Sequence, residues 1–119
     1  MDGKRKEEIL KLGIGCFNRQ EFFECHEVLE EVWLAEPPEE KPFYQGLIQI
    51  AASFHHYQRG NRRGARSLLQ HGMSKLAGCP SPCHGVDLAS LLPLLGHWQE
   101  ELKQEEGAGL AWPVIQQTL

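Results

Sequence analysis

The 119-residue sequence predicts an all-α fold, a bundle of about five helices built from antiparallel helix hairpins. Apolar residues recur at three- and four-residue steps through most of the chain, which is the period of an amphipathic helix. No segment alternates apolar and polar residues over the length of a strand. The breaks between the periodic segments are short, and short connections favour antiparallel neighbours. We expect a single domain over residues 1–119.

The first two helices are predicted over residues 5–17 and 20–35. Apolar positions from Ile9 to Phe17 share one face of the first helix, and Asn18 is expected to close it in the left-handed conformation. The second helix must end before Pro37, because a residue that precedes proline is pushed out of the helical region.

The third helix is predicted to be the longest, over about residues 39–60. Its apolar face is formed by Phe43, Leu47, Ile50 and Phe54. Gly60 then makes a tight connection. Asn61 is a good N-cap for a fourth helix that ends near Leu76.

The last part of the chain begins with the breaker-rich segment Gly78–Gly85. Asp87 is expected to cap a fifth helix over residues 87–105, in which Pro93 indicates either a kink or a later start. A tail over residues 110–119 is expected to dock onto the bundle through Leu110, Trp112, Val114 and Ile115.

Composition and charge exclude several classes of protein. Hydrophobic residues make up 41% of the chain and charged residues 24%, as in an ordinary soluble protein. A net charge of -4 argues against a protein that binds nucleic acid over its whole surface. The charged N-terminus does not resemble a signal peptide, and no apolar run has the length of a membrane span. The four cysteines are too few for a disulfide scaffold, so we expect thiols and a cytoplasmic location.

Polar side chains interrupt the apolar pattern of the second and third helices. At about 100° per residue, His26 and Glu30 share the interior side of the second helix, whereas Glu27 does not. Gln45, Gln49 and His56 share an arc on the third helix. If these helices are antiparallel, the polar groups converge. The candidate polar cluster is His26, Glu30, Gln45, Gln49 and His56, which forms either a ligand pocket or a satisfied structural network.

Three ordered motifs lie in the same region. They are the segment His26–Trp33, the segment Gln45–Ala51, and His56 followed by Gly60, Asn61, Gly64 and Ala65. Together they resemble the bacterial and plant family called domain of unknown function 309, over about residues 8–77. The resemblance implies a small, all-helical, cytoplasmic protein, and it implies no particular reaction. The stretch after Leu76 receives nothing from it.

The polar cluster favours a binding or scaffold module rather than an enzyme, with an unidentified ligand or protein partner and no cofactor. The alternative is a metal-assisted hydrolase, in which His26, Glu30 and His56 are three ligands that leave an open position on the metal. Apolar surface around Trp33, Trp98 and Trp112 also indicates a homodimer.

A second alternative is an anion site at the start of the fourth helix, where backbone N–H groups and the helix dipole attract phosphate or carboxylate. Its candidate residues are Arg59, Asn61, Arg62, Arg63 and Arg66. The competing interpretation is a structural turn with solvated arginines. Cys79, Cys83 and His84 are better explained by a breaker-rich loop than by a zinc site, because two thiolates do not complete one.

Overall fold

The computed structural model describes residues 1–104 and 109–118. This part of the chain contains five helices and only isolated β-bridges, so the predicted all-α bundle is confirmed. The helices are α1 (Gly3–Asn18), α2 (Phe22–Ala35), α3 (Lys41–Gln58), α4 (Arg62–Ala77) and α5 (Leu88–Leu102). Residue 105, the predicted end of the fifth helix, and residue 119, the predicted end of the tail, lie outside the described residues.

Side-chain caps define where three helices begin. Asp2 Oδ1 accepts a hydrogen bond from Arg5 N at the start of α1. Asn61 Oδ1 accepts from Gly64 N, and Asp87 Oδ1 accepts from Ser90 N, so both predicted caps are confirmed. Because α5 begins at Leu88, the alternative of a later start after Pro93 is wrong.

The predicted role of Asn18 is wrong. Asn18 is the last residue of α1, and the left-handed residue is Gln20, with φ 61°. The side chain of Asn18 is used elsewhere: its Nδ2 donates to Ile115 O at 3.1 Å, and its Oδ1 accepts from Ile115 N at 2.8 Å. Asn18 therefore holds the C-terminal tail rather than the end of its own helix.

Trp112 and Ile115 are the residues of the C-terminal tail that pack most closely on the bundle. Trp112 stacks on Trp98 with ring centroids 5.2 Å apart, and Ile115 is 4% exposed. Leu110 and Val114 are each 38% exposed, and Leu110 lines a surface depression together with Trp98 and Trp112. Backbone hydrogen bonds extend the contact, because Asp87 N donates to Gln116 O and Thr118 N donates to Gly85 O.

α2 and α3 lie antiparallel. The Phe23 ring near the start of α2 is 5.3 Å from the His55 ring near the end of α3. At the other end, Lys41 Nζ donates to Trp33 O at 2.8 Å and lies 4.6 Å from the centroid of the indole ring. A cation thus stands at the carbonyl end of α2, where the helix dipole favours it.

α3 and α4 approach each other most closely where two glycines face across the interface. A Cβ added to Gly72 would lie 2.9 Å from Gly46 O and 3.2 Å from Ile50 N, so the contact is between backbones. Ser53 Oγ, fully buried, donates to Ala65 O in the same interface. Gly46 and Gly72 thus allow the close packing of α3 against α4.

Among the described residues, no helix is both long and apolar enough to cross a membrane.

We expect Gly72→Ala to lower the free energy of unfolding by about 1–3 kcal/mol, because the added methyl group meets the backbone of α3. The matched control is Gly96→Ala in α5, where a Cβ would have no heavy atom of the described residues within 4 Å. That variant should gain about 0.5–1 kcal/mol from helix propensity. Urea unfolding measures both changes, and equal stability of the two variants would contradict the close contact.

Candidate functional site

The strongest cluster of titratable side chains lies on α2. His26 Nδ1 is 3.3 Å from Glu27 Oε1, and His26 Nε2 is 4.0 Å from Glu30 Oε2. One nitrogen or oxygen from each of the three residues lies within 4.8 Å of the others. The three side chains are 32%, 57% and 42% exposed, in the order His26, Glu27, Glu30. We call His26, Glu27 and Glu30 the His26 cluster. It lies on a partly exposed side of α2 and not in the protein interior.

The position of the cluster follows from the pattern of α2. Its buried residues are Phe22, Cys25, Leu29 and Val32, which repeat at three- and four-residue steps. His26 and Glu30 each follow a core residue, so they stand about 100° away from the core. Glu27 leaves the backbone about 100° away from His26 around the helix, which is why the sequence analysis put it on a different side. The two side chains nevertheless bend toward each other.

Three buried polar atoms at the α2–α3 contact have no hydrogen-bond partner within the described part of the chain. They are His26 Nδ1, Trp33 Nε1 and Gln49 Oε1. The contact of His26 Nδ1 with Glu27 is at ion-pair distance but is not a hydrogen bond. A buried polar atom left unpaired costs about 1–3 kcal/mol, and native proteins contain few of them. The polar groups of His26 and Gln49 therefore do not form a fully hydrogen-bonded structural network within the described residues.

The alignment of the two helices shows which residues stand level with each other. The pairs Phe23 with His55 and Trp33 with Lys41 fix an antiparallel register. In this register Gln45 and Gln49 are level with residues 25–33 of α2, which contain the His26 cluster.

His56 has different neighbours. Its Nδ1 is 3.2 Å from Asn61 Nδ2, so it stands beside the turn that starts α4. In the described residues, the group that brings together three possible metal ligands contains Glu27 with His26 and Glu30, and not His56.

Two members of the predicted anion site are engaged in structural contacts. Asn61 caps α4, and Arg62 Nη2 donates to Glu101 O at 3.0 Å and to Gln104 O at 2.8 Å. The Arg62 guanidinium also lies 5.6 Å from the centroid of the Tyr57 ring. Arg59, Arg63 and Arg66 are exposed. The arrangement thus favours the interpretation as a structural turn, in which Arg62 binds the carbonyl end of α5.

The pKa values of the cysteine thiols are not those of reactive nucleophiles. All four cysteines are free, and burial raises the pKa of Cys25 to about 12, with a smaller contribution from the Cys16 thiol. Burial also raises the pKa of Cys83 to about 11, and the neighbouring Cys79 thiol adds to this shift. A thiol needs a lowered pKa to react as a thiolate near neutral pH, so the raised pKa values of Cys25 and Cys83 disfavour a nucleophilic role for them.

The same fold occurs in the crystal structure of the conserved hypothetical protein TTHA0068 from Thermus thermophilus. The likeness has a TM-score of 0.65 and 33% sequence identity, and it covers 76% of this chain and 94% of that one. The model of the family described as domain of unknown function (DUF309) matches residues 10–68. The chain belongs to the DUF309 family.

Two curated relatives are uncharacterized proteins of greater length. One, from Aquifex aeolicus strain VF5, is 33% identical over 88 residues, which is 73% of this chain and 26% of that protein. The other is YpuF of Bacillus subtilis strain 168, which is 33% identical over 87 residues, 71% of this chain and 50% of that protein. The chain thus spans a quarter to a half of the length of these DUF309 relatives. Neither their names nor the family description gives a reaction.

The DUF309 match includes the His26 cluster, Gln45, Gln49 and His56. Sequence reasoning missed two members of this region. Glu27 was placed on another arc because helical angles describe where a side chain leaves the backbone and not where its end lies. Trp33 was read only as apolar, although an indole carries an N–H donor.

Native protein treated with iodoacetamide at about pH 8 should be alkylated most slowly at Cys25. At that pH the raised pKa keeps this buried thiol protonated. Unfolding in urea should remove the difference between Cys25 and the three partly exposed cysteines. Peptide mass spectrometry measures each site, and rapid native alkylation of Cys25 would contradict the assignment.

Proposed function

We propose that this chain is a binding module whose recognition element is the α2–α3 seam, formed by His26, Glu30, Trp33, Gln45 and Gln49. The observation that carries the proposal is the set of three buried polar atoms without partners among the described residues, two on α2 and one on α3. A purely structural seam would pair these atoms, because each one left unpaired lowers stability. A ligand that pairs them recovers this free energy.

The chemistry of the seam indicates what kind of ligand fits it. Trp33 Nε1 can only donate a hydrogen bond, and Gln49 Oε1 can only accept one. His26 Nδ1 donates or accepts according to its tautomer. The matching ligand is therefore a small polar molecule that presents both a donor and an acceptor, and that needs no formal charge of one sign.

If Gln49 binds a ligand and does not stabilise the fold, replacing Gln49 should not destabilise the protein. We expect Gln49→Leu to keep the stability of the wild type within about 0.5 kcal/mol or to exceed it, because an unpaired buried acceptor is replaced by an apolar group. Ser53→Ala is the matched control, since Ser53 Oγ is buried and hydrogen-bonded. That variant should lose about 1 kcal/mol.

Urea unfolding compares the two variants. A Gln49→Leu variant that loses as much stability as Ser53→Ala would show that Gln49 is a structural residue. Crystals of the wild type should further show non-protein density against Trp33 Nε1 and Gln49 Oε1. A seam filled by rearranged protein atoms alone would contradict the proposal.

A second candidate function, metal-assisted hydrolysis, is favoured by the geometry of the His26 cluster. His26 and Glu30 are four residues apart on one helical face, and their nearest ligand atoms are 4.0 Å apart. This distance is too long for a hydrogen bond. It lies within the span of at most about 4.4 Å that two bonds of about 2.0–2.2 Å to one metal ion can bridge. Glu27 would be the third ligand, and a metal ion held by three ligands would supply activation of a bound water molecule.

Mn²⁺ is a suitable probe, because carboxylates bind it well and thiols compete poorly for it. Mn²⁺ titrated into tag-free protein should broaden the ring signals of His26 in proton NMR spectra at substoichiometric amounts. His26→Ala and Glu30→Gln should each weaken binding by about tenfold or more. His97→Ala, at an exposed histidine of α5, is the control and should not change it. Broadening that is equal at His26 and His97 would contradict a specific site.

The setting we propose is the cytoplasm, supported by four free thiols. We also propose a homodimer. Of the tryptophans expected to form its surface, Trp98 and Trp112 stack on each other. Exposed apolar side chains such as Leu12 and Leu34, which are 58% and 64% exposed, support a dimer.

A further inference from the structure

A separate cavity of about 380 Å³ lies at the opposite end of α2 from Phe22, where α1, the α2–α3 connection, the start of α3 and the loop before α5 meet. We call it the His84 cleft. Its charged and aromatic lining consists of Lys6, Glu7, Glu36, Glu40, Tyr44 and His84. Two further depressions adjoin it and share His84, so this imidazole stands at the centre of a wider concave surface.

The sequence places a buried carboxylate in the wall of this cleft. Glu36 follows α2 directly and precedes Pro37, which holds it in an extended conformation, with φ -84° and ψ 149°. Its side chain is only 3% exposed. Among the described residues, Glu36 forms an ion pair with Lys6, whose Nζ is 2.6 Å from Glu36 Oε1. Glu36 Oε1 nevertheless accepts no well-formed hydrogen bond from the described residues. A buried carboxylate normally requires several such bonds.

The facing wall is aromatic. His84 and Gly85 are the central residues of a tight turn, with φ 48° and 77°, closed by the hydrogen bonds between Cys83 and Val86. Positive φ at both positions is the signature of a type I′ turn. The turn holds the His84 ring 5.4 Å from the Tyr44 ring, and His84 Nε2 is 3.3 Å from Glu40 Oε2.

The charges of the cleft favour a cation. Three carboxylates, from Glu7, Glu36 and Glu40, face a single permanent ammonium in the described lining, that of Lys6. Burial raises the pKa of Tyr44 to about 12, and the negative charges of Glu36 and Glu40 add to the shift, so the phenol stays protonated. Aromatic faces beside carboxylates attract an organic cation through its charge and through cation–π contact.

The spacing of these groups distinguishes an organic cation from a metal ion. Among the described residues, only the His26 cluster brings three possible metal ligands within 4.8 Å of each other. Glu36, Glu40 and His84 are therefore too far apart to share one metal ion. A larger cation, carried on a carbon chain, fits such a spacing.

We propose that the His84 cleft binds a small organic ammonium compound, whose cationic group replaces Lys6 at Glu36 and packs against Tyr44 and His84. This site is independent of the seam and of the His26 cluster. Its lining includes Lys6 and His84, which lie outside the DUF309 match over residues 10–68.

The test is a titration of the full chain with 1,4-diaminobutane, followed by backbone amide NMR shifts. A parallel titration with sodium chloride at equal ionic strength controls for screening. We expect saturable shifts around Glu36, Tyr44 and His84 with the diamine and not with the salt. Shifts that grow linearly, or that occur equally with salt, would overturn the proposal, as would saturable shifts centred on His26.

Variants make the assignment specific. Glu36→Gln should weaken binding by about tenfold or more, because it removes the buried charge that pairs with the ammonium. Glu100→Gln, at a carboxylate of α5 that is 71% exposed, should leave the affinity unchanged. Equal affinity in Glu36→Gln and the wild type would overturn the proposal.

Lys6→Met provides a second test that does not depend on the folding of Glu36→Gln. Removing the resident ammonium should strengthen diamine binding by about threefold or more, because the ligand no longer competes with Lys6 for Glu36. Unchanged or weaker binding in this variant would overturn the proposal.

Discussion

The contact of α3 with α4 at Gly46 and Gly72 is the constraint on which the rest of the arrangement depends. The two backbones are close enough that a single added carbon atom at either glycine has no room. Such a contact fixes the rotation of α3 about its axis. With Gly46 directed at α4, Gln45 and Gln49 lie about 60–100° to one side of that contact, while Leu47, Ile50 and Phe54 lie on the other and fill the core. The polar arc of α3 is thus a consequence of how its glycine faces a neighbour.

The sequence predicted the parts of the fold that depend on local patterns. The five helices follow from the apolar period, and Asn61 and Asp87 cap helices because their short side chains reach the backbone three residues ahead. Features that depend on distant residues escaped prediction. The true role of Asn18 depends on Ile115, which is 97 positions away. Gly72 looks like a weak point within a helix until the backbone of α3 is placed against it.

The candidate site shows the same division. The period of α2 puts His26 and Glu30 on one side of the helix, but that side is partly exposed and not interior as expected. The convergence of Glu27 depends on side-chain torsions that a sequence does not specify. The partnerless atoms of Trp33 and Gln49 are also a property of the assembled helices. The two proposed sites differ in origin. The seam is carried by two long helices within residues 10–68, the region that matches the DUF309 model. The His84 cleft is assembled from four separate segments, and residues of two of them, Lys6 and His84, lie outside that region.

The docked tail shields several aromatic rings from water. Trp112 packs on the rings of Phe22, Phe54, Tyr57 and Trp98, and Asn18 holds it there only indirectly, through the backbone of Ile115. Loss of the segment that carries Trp112 would present the faces of these rings to water as one adhesive patch. The same segment also reaches the His84 cleft, because Thr118 N donates to Gly85 O in the turn that carries His84. Shielding of these rings from water and the position of the His84 ring therefore depend on one docked segment.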